Sequence, residues 1–224
     1  MRIFSTFAEA LNEIKRELKE MGMVVKTKSV QNKDISENED YRCYEVQDYS
    51  YRVTKPDYLT IPLRSPEWAR AEFFERVGGQ PLNPGEAWKF REDYWKQFLN
   101  REGKFDYAYP ERMTANLENV IDALKKDPST RRAYLSILGN QDPPNNFGCR
   151  FPCSIGYHFL YRGDQLNIKY HLRSSDFFEH FNYDIYLADR LKNYVAERVG
   201  MKPGLFTHEI GSLHCFYKDV KGVF

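Results

Sequence analysis

The feature that most constrains this chain is a hairpin signal late in the sequence. Residues 155–161 and 166–172 are strand-like runs, and the short Arg162-Gly163-Asp164-Gln165 turn joins them. That join commits the region to antiparallel pairing. Further strand-like runs cover 44–53, 133–138, 205–210 and 213–217. Helical spacing dominates the earlier part. Phe7, Leu11, Ile14, Leu18 and Met21 follow Thr6 and Glu9, which have capping-box spacing, and Gly22 is a natural stop. A helix is predicted from Pro66 to about Val77, with Trp68, Ala71 and Phe74 or Glu75 along its buried side; Gly78, Gly79, Pro81, Pro84 and Gly85 break it. Another runs through Met113, Leu117, Val120, Ile121 and Leu124 and ends at Asp127-Pro128. A last one covers 185–199 and stops at Gly200. The polar stretch 29–42 reads as a mobile loop. Helices first and strands mostly late predict an α+β fold, and no boundary divides residues 1–224, so one domain is expected.

Charge then limits the partners. With 33 basic and 32 acidic residues the formal net charge is +1, so the chain is not built to coat nucleic acid or an acidic membrane. A few arginines could still hold a small anion. The 16 tyrosines have apolar rings and polar tips, which suits the lining of a half-buried pocket. Four cysteines (Cys43, Cys149, Cys153 and Cys215) are too few for a disulfide scaffold. The N-terminus turns charged at once, and no apolar run has the length of a signal peptide or a membrane span. A soluble, reducing, cytoplasmic setting is therefore expected, with thiols free to react.

The densest concentration of reactive side chains lies between Arg131 and Phe216. Arg131 and Arg132 could clamp a phosphate through planar bidentate contacts, or simply solvate a strand start. Cys153 follows Pro152 and leads into an apolar strand. Nearby cations would raise its thiolate fraction, whereas a core cysteine is the plainer alternative. Cys149, Cys153 and His158 match no standard zinc spacing, so no metal is expected. Arg173-Ser174-Ser175-Asp176 suits phosphate and base contacts, or a charged turn. Asp184 and His214 say nothing in isolation.

In combination these residues resemble the thymidylate synthase family over nearly the whole chain. That family carries an Arg-Arg pair, then Pro-Cys, then Arg-Ser-x-Asp; here Arg173 follows Cys153 by twenty residues. Eleven residues further comes the base-reading position, here Asp184. The family's Gly-Asp-x-His-x-Tyr appears as Gly211-Ser212-Leu213-His214-Cys215-Phe216. Glu72, in Ala-Glu-Phe-Phe, sits where the family has its catalytic glutamate, and Trp95, Phe98, Gly103 and Tyr109 match the Trp-x-x-Trp…Gly…Tyr segment. The resemblance implies a mixed sheet packed with helices, dimerising through the sheet. It implies a pyrimidine nucleoside monophosphate as substrate and 5,10-methylenetetrahydrofolate as co-substrate. Cys153 would add to ring carbon C6, making C5 nucleophilic toward the one-carbon unit. Glu72 would move protons and Tyr109 would assist. Arg173, with Arg131 and Arg132 from the partner subunit of a homodimer, would hold the 5′-phosphate and favour the thiolate. Ser174 would add a phosphate contact, His214 would touch the sugar, and Asp176 and Trp95 would border the folate.

The departures from the family pattern point to the substrate. Members acting on dUMP carry Asn where this chain has Asp184. An ionised carboxylate only accepts hydrogen bonds, so it opposes uracil O4 and suits the amino group of cytosine. Bacteriophage deoxycytidylate (dCMP) hydroxymethylases make the same exchange, share Gly-Ser-Leu-His, and lack the His that usually follows the nucleophile, where Ser154 stands. Hydroxymethylation of dCMP is therefore expected, with C5 methylation of dCMP or dUMP as the alternative. A non-catalytic nucleotide-binding protein and a nucleic-acid binder are the alternatives of other classes. Phe216 in place of Tyr removes one sugar contact and leaves deoxyribose against ribose open. The chain ends ten residues after His214, and a shorter, looser lid would admit water, which fits hydroxylation. Lys26 or Lys28 is a candidate for a further phosphate contact, with ordinary surface lysine as the alternative.

Overall fold

The computed structural model describes residues 1–31, 33–142, 144–146 and 148–222; Asn32 in the 29–42 stretch and the terminal Phe224 lie outside it. Its strands are β1 (Arg2–Phe4), β2 (Met23–Val25), β3 (Ser29–Val30), β4 (Lys33–Asp34), β5 (Cys43–Val53), β6 (Tyr134–Ser136), β7 (Ser154–Arg162), β8 (Gln165–Asp176) and β9 (Lys202–Phe216). Its helices are α1 (Phe7–Met21), α2 (Pro66–Val77), α3 (Glu92–Trp95), α4 (Tyr109–Lys126), α5 (Phe181–Val199) and α6 (Tyr217–Val220). Seven strands form one mixed sheet in the order β1-β5-β9-β8-β7-β6, with β2 also on β5. β8 and β9 run parallel at its centre, while β7 and β6 continue it antiparallel. This is the α+β arrangement expected from the order of periodicities.

The β7–β8 hairpin forms at the expected place. Gly163 and Asp164 both have φ of 60°, the left-handed pair that matches the twist of the flanking strands. Alternation then sets the faces. Leu166, Ile168, Tyr170 and Leu172 of β8 point into the core, and Phe206, His208 and Ile210 of β9 do the same. α5 covers them with Phe181, Ile185, Ala188, Leu191 and Val195, while α4 contributes Met113, Leu117, Ile121 and Leu124. α1 adds Phe7, Ile14 and Leu18, and the Thr6 hydroxyl caps its first turn by accepting from the Glu9 N–H at 3.3 Å. The other sheet face is uncovered. It carries Tyr134, His158, Lys169, His171 and Glu209, with Glu209 bonded to both Lys169 (2.6 Å) and His171 (3.1 Å).

Several expectations need correction. The 29–42 stretch is not simply a loop: β3 and β4 pair there, and a short 3-10 turn spans Glu39–Tyr41. α2 buries Trp68, Ala69, Phe73 and Arg76, whereas Phe74 is 61% exposed; its inner face is turned from the expected one. Residues 205–217 are not two short strands. β9 runs unbroken through Gly211, where an added Cβ would stand 2.9 Å from the Arg173 carbonyl oxygen of β8. The glycine marks close backbone approach rather than a turn. α5 begins at Phe181 rather than 185, so Asp184 lies in its first turn.

Candidate active site

At the junction of α2, α4, α5 and the central strands lies a cavity of about 400 Å³. It brings together Cys153, Glu72, Tyr109, Arg173, Ser174, Asp176, Asp184, His214 and Trp95. Their sequence separations are large, so the sheet crossover does the gathering: β7 begins just after Cys153, β8 contributes Arg173 to Asp176, and β9 carries His214 opposite Asp176.

Cys153 is held from both sides. Its carbonyl accepts from the Arg173 N–H at 2.9 Å. The Arg173 guanidinium donates to the carbonyls of Phe151 (3.0 Å) and Pro152 (2.8 Å), and its Nη2 stands 3.7 Å from Sγ. Arg173 forms no ion pair with a described residue, so its charge is left for the cavity. Burial nevertheless pushes the Cys153 thiol up, and Arg173 and Arg150 only partly offset it. Both arginines favour the thiolate, but in the isolated chain desolvation outweighs them.

Two carboxyls carry raised affinities. Asp184 accepts from the Ser175 hydroxyl at 2.9 Å, and burial lifts it to about 7 against the opposing effects of Ser175 and Arg76. Burial likewise lifts Asp176 to about 7, although it accepts from the backbone N–H groups of Phe178 (3.1 Å) and Glu179 (3.3 Å). Glu72 on α2 accepts from Arg76 Nε at 2.8 Å, and the Arg76 guanidinium lies 3.8 Å from the centre of the Tyr109 ring. His214 Nδ1 is 3.5 Å from the hydroxyls of both Ser174 and Ser212, and burial lowers its basicity.

An aromatic wall completes the cavity. Trp68 and Trp95 stack with centroids 5.7 Å apart, and the Arg150 guanidinium lies within 5.1 Å of the ring centres of Trp95, Phe98 and Tyr107. Trp95 Nε1, Arg150 Nε and Gln31 Oε1 are buried with no hydrogen-bond partner among the described residues. Sequence reasoning missed Arg76, Arg150 and Gln31. Only Arg76 had a signal, its i,i+4 spacing from Glu72.

Other candidates lie elsewhere. Arg131 and Arg132 precede β6 on the exposed surface, do not line the cavity, and form no ion pair with a described residue. Lys26 is exposed and bonded to Glu39, and neither it nor Lys28 reaches the cavity, which corrects their candidacy within this chain. Among the described residues no group of three or more His, Cys, Asp and Glu could hold a metal, and no helix is long and apolar enough to cross a membrane.

Comparison with known proteins agrees with this arrangement. Putative thymidylate synthases of Methanosarcina mazei and Methanosarcina acetivorans are each 31% identical over 137 residues, which is 57% of this chain and 62% of the relative. That of Methanococcoides burtonii is 30% identical over 144 residues, 59% of this chain and 65% of its own length. The match thus spans less than two thirds of these relatives. The fold is that of the thermostable thymidylate synthase A from Bacillus subtilis, with a TM-score of 0.77 at 14% identity, covering 97% of this chain and 82% of the other. The family model for thymidylate synthase matches residues 84–223, from the aromatic wall through Cys153 and Asp184 to the last strand, and the chain belongs to the thymidylate synthase family.

Proposed function

We propose that the protein transfers a one-carbon unit from 5,10-methylenetetrahydrofolate to C5 of a pyrimidine nucleoside monophosphate, converting dCMP to 5-hydroxymethyl-dCMP. The observation that carries the choice of base is Asp184, anchored by Ser175 in the cavity that also holds Cys153. A carboxyl poised near 7 shares one proton with cytosine. Its O–H donates to N3, or an ionised carboxylate accepts from a protonated N3, and in both cases the other oxygen accepts from N4–H₂.

Cys153 adds to C6 of the ring once the bound nucleotide has displaced water and Arg173 has met the phosphate; the Sγ proton is relayed through the Glu72 carboxylate to solvent as the carbon–sulfur bond forms and the C5–C6 π pair shifts to C5. Glu72 and Tyr109 face the same space and handle the proton at C5. Water then supplies the hydroxyl of the product. Ser174 contacts the phosphate and His214 the sugar. The folate fits the aromatic wall: Trp95 offers a flat face and an Nε1 without a partner among the described residues, and Asp176 lines the same cavity as a carboxyl for the pterin. When bound, the folate supplies a carbon at the oxidation level of formaldehyde. The exposed Arg131 and Arg132 serve the phosphate of a partner subunit in a homodimer built on the uncovered sheet face. Neither membrane nor nucleic acid takes part.

The deciding experiment incubates the protein with methylenetetrahydrofolate and C5-tritiated dCMP, dUMP or CMP. Tritium release from dCMP, a hydroxymethyl product and no dihydrofolate absorbance are expected. Absorbance growth would instead mark methylation, the reading favoured by the names of the relatives. No release from any nucleotide would leave a non-catalytic nucleotide binder.

A further inference from the structure

Arg76 has no role in the chemistry assigned so far, yet it is one of the most enclosed charges in the protein, 8% exposed on the inner face of α2. It lines the same cavity as Cys153. A guanidinium removed from water this far needs partners, and the structure gives it two of different kinds. Nε donates to Glu72 at 2.8 Å, one helical turn earlier. The flat face lies over the Tyr109 ring, with Cζ 3.8 Å from its centre. One planar group therefore contacts both side chains proposed to move the C5 proton, and ties them to each other, because the hydrogen bond and the ring contact are made by the same rigid guanidinium.

We propose that Arg76 is a positioning residue of the pyrimidine reaction, holding Glu72 and Tyr109 as one unit and supplying a fixed positive charge to the cavity lining. The inference rests on the proposed reaction. The groups facing this charge come from every packed element: Glu72 from α2, Tyr107 and Tyr109 at the start of α4, Tyr157 from β7 and Asp184 from α5. Asp184 in turn faces Cys153, Tyr51 of β5 and Tyr170 of β8. Among the described residues Arg76 forms its ion pair with Glu72 alone. It holds Asp184 below the value that burial alone would give. A lysine at 76 would keep the charge but has neither the fork nor the plane.

Two variants separate charge from shape. Arg76→Gln keeps an N–H donor and removes the charge; Arg76→Lys keeps the charge and removes the plane. For the Lys variant, kcat should fall at least about tenfold with KM changed less than about threefold, because Glu72 and Tyr109 act in the reaction rather than in binding. For the Gln variant, kcat should fall further and the Asp184 carboxyl, followed by carbon NMR of labelled aspartate, should titrate at higher pH than in the wild type. A folded Lys variant with wild-type kcat overturns the proposal, and so does an Asp184 titration unmoved by Gln. If the Gln variant does not fold, the Lys variant decides by its kcat. If the wild type releases no tritium from any pyrimidine nucleotide, the proposed reaction fails, and the Asp184 titration still tests the charge of Arg76 by itself.

Discussion

Asp184 holds a proton in the folded chain that an unfolded chain would give up near 3.8, because its midpoint rises to about 7. Its favourable effect on stability is complete below the lower value and disappears as pH climbs through the higher one. The stability of the wild type relative to Asp184→Asn should therefore fall steadily from about pH 4 to about pH 8 in denaturant titrations. A constant difference would show that burial does not govern this carboxyl. Base choice follows the same proton. The pairing drawn for cytosine places that proton between Asp184 and N3; above about 7 it is lost and an oxygen lone pair opposes N3, a mismatch costing about 1–3 kcal/mol. Relative to Asp184→Asn, which should favour dUMP, kcat/KM of the wild type for dCMP should fall about tenfold from pH 6 to pH 8. Equal slopes in both proteins would remove Asp184 from base reading. The identity of this residue was legible in the sequence only through its distance from Cys153 and Arg173. Its proton was not, since that depends on Ser175, Arg76 and the depth of the cavity.

Elements were legible where burial is one-sided. α1, α4 and the β7–β8 hairpin all bury a single regular face, and their patterns predict them. α2 was misjudged because it faces a cavity as well as a core, so Glu72 and Arg76 point inward and an apolar stripe does not mark the buried side. The same physics hid β3, whose Ser29 lines the cavity near Gln31, and the exposed, charged Lys33 and Asp34 of β4 gave no apolar pattern to mark its partner. Gly211 was misread for a different reason, since a sequence does not reveal how closely two parallel strands approach. Gly211→Ala puts a Cβ 2.9 Å from the Arg173 carbonyl and must push β9 or β8 aside. Overpacking of this kind costs about 1–3 kcal/mol. The displaced strand also carries the guanidinium that stands 3.7 Å from Cys153 Sγ. A lower midpoint in urea together with a raised KM for nucleotide is the expected result. Normal stability and KM would mean that the strands yield without moving Arg173.

Among the described residues no helix covers one face of the sheet, and the proposed homodimer would pair there. The face presents Tyr134, His158, Lys169, His171 and Glu209 on the side of the sheet opposite the helices. Beside it Arg131 and Arg132 stand exposed, outside the cavity they resemble ligands for. A twofold pairing of this face would be self-complementary, with each copy contributing to the other what it receives. That geometry makes a test independent of any single variant. Cys153→Ser lacks the proposed nucleophile but keeps the arginine pair. Arg131→Ala/Arg132→Ala keeps the thiol but lacks the arginines it would lend. Each homodimer should be inactive or nearly so. In a mixed dimer one site collects both defects and the other collects none. Random exchange of equal amounts should therefore restore about a quarter of wild-type activity. If the arginines instead serve their own chain, every site in the mixture contains a defect and no activity returns. Sedimentation of the unmixed proteins settles the remaining case, in which the chain is a monomer and the exposed arginines have no partner to serve.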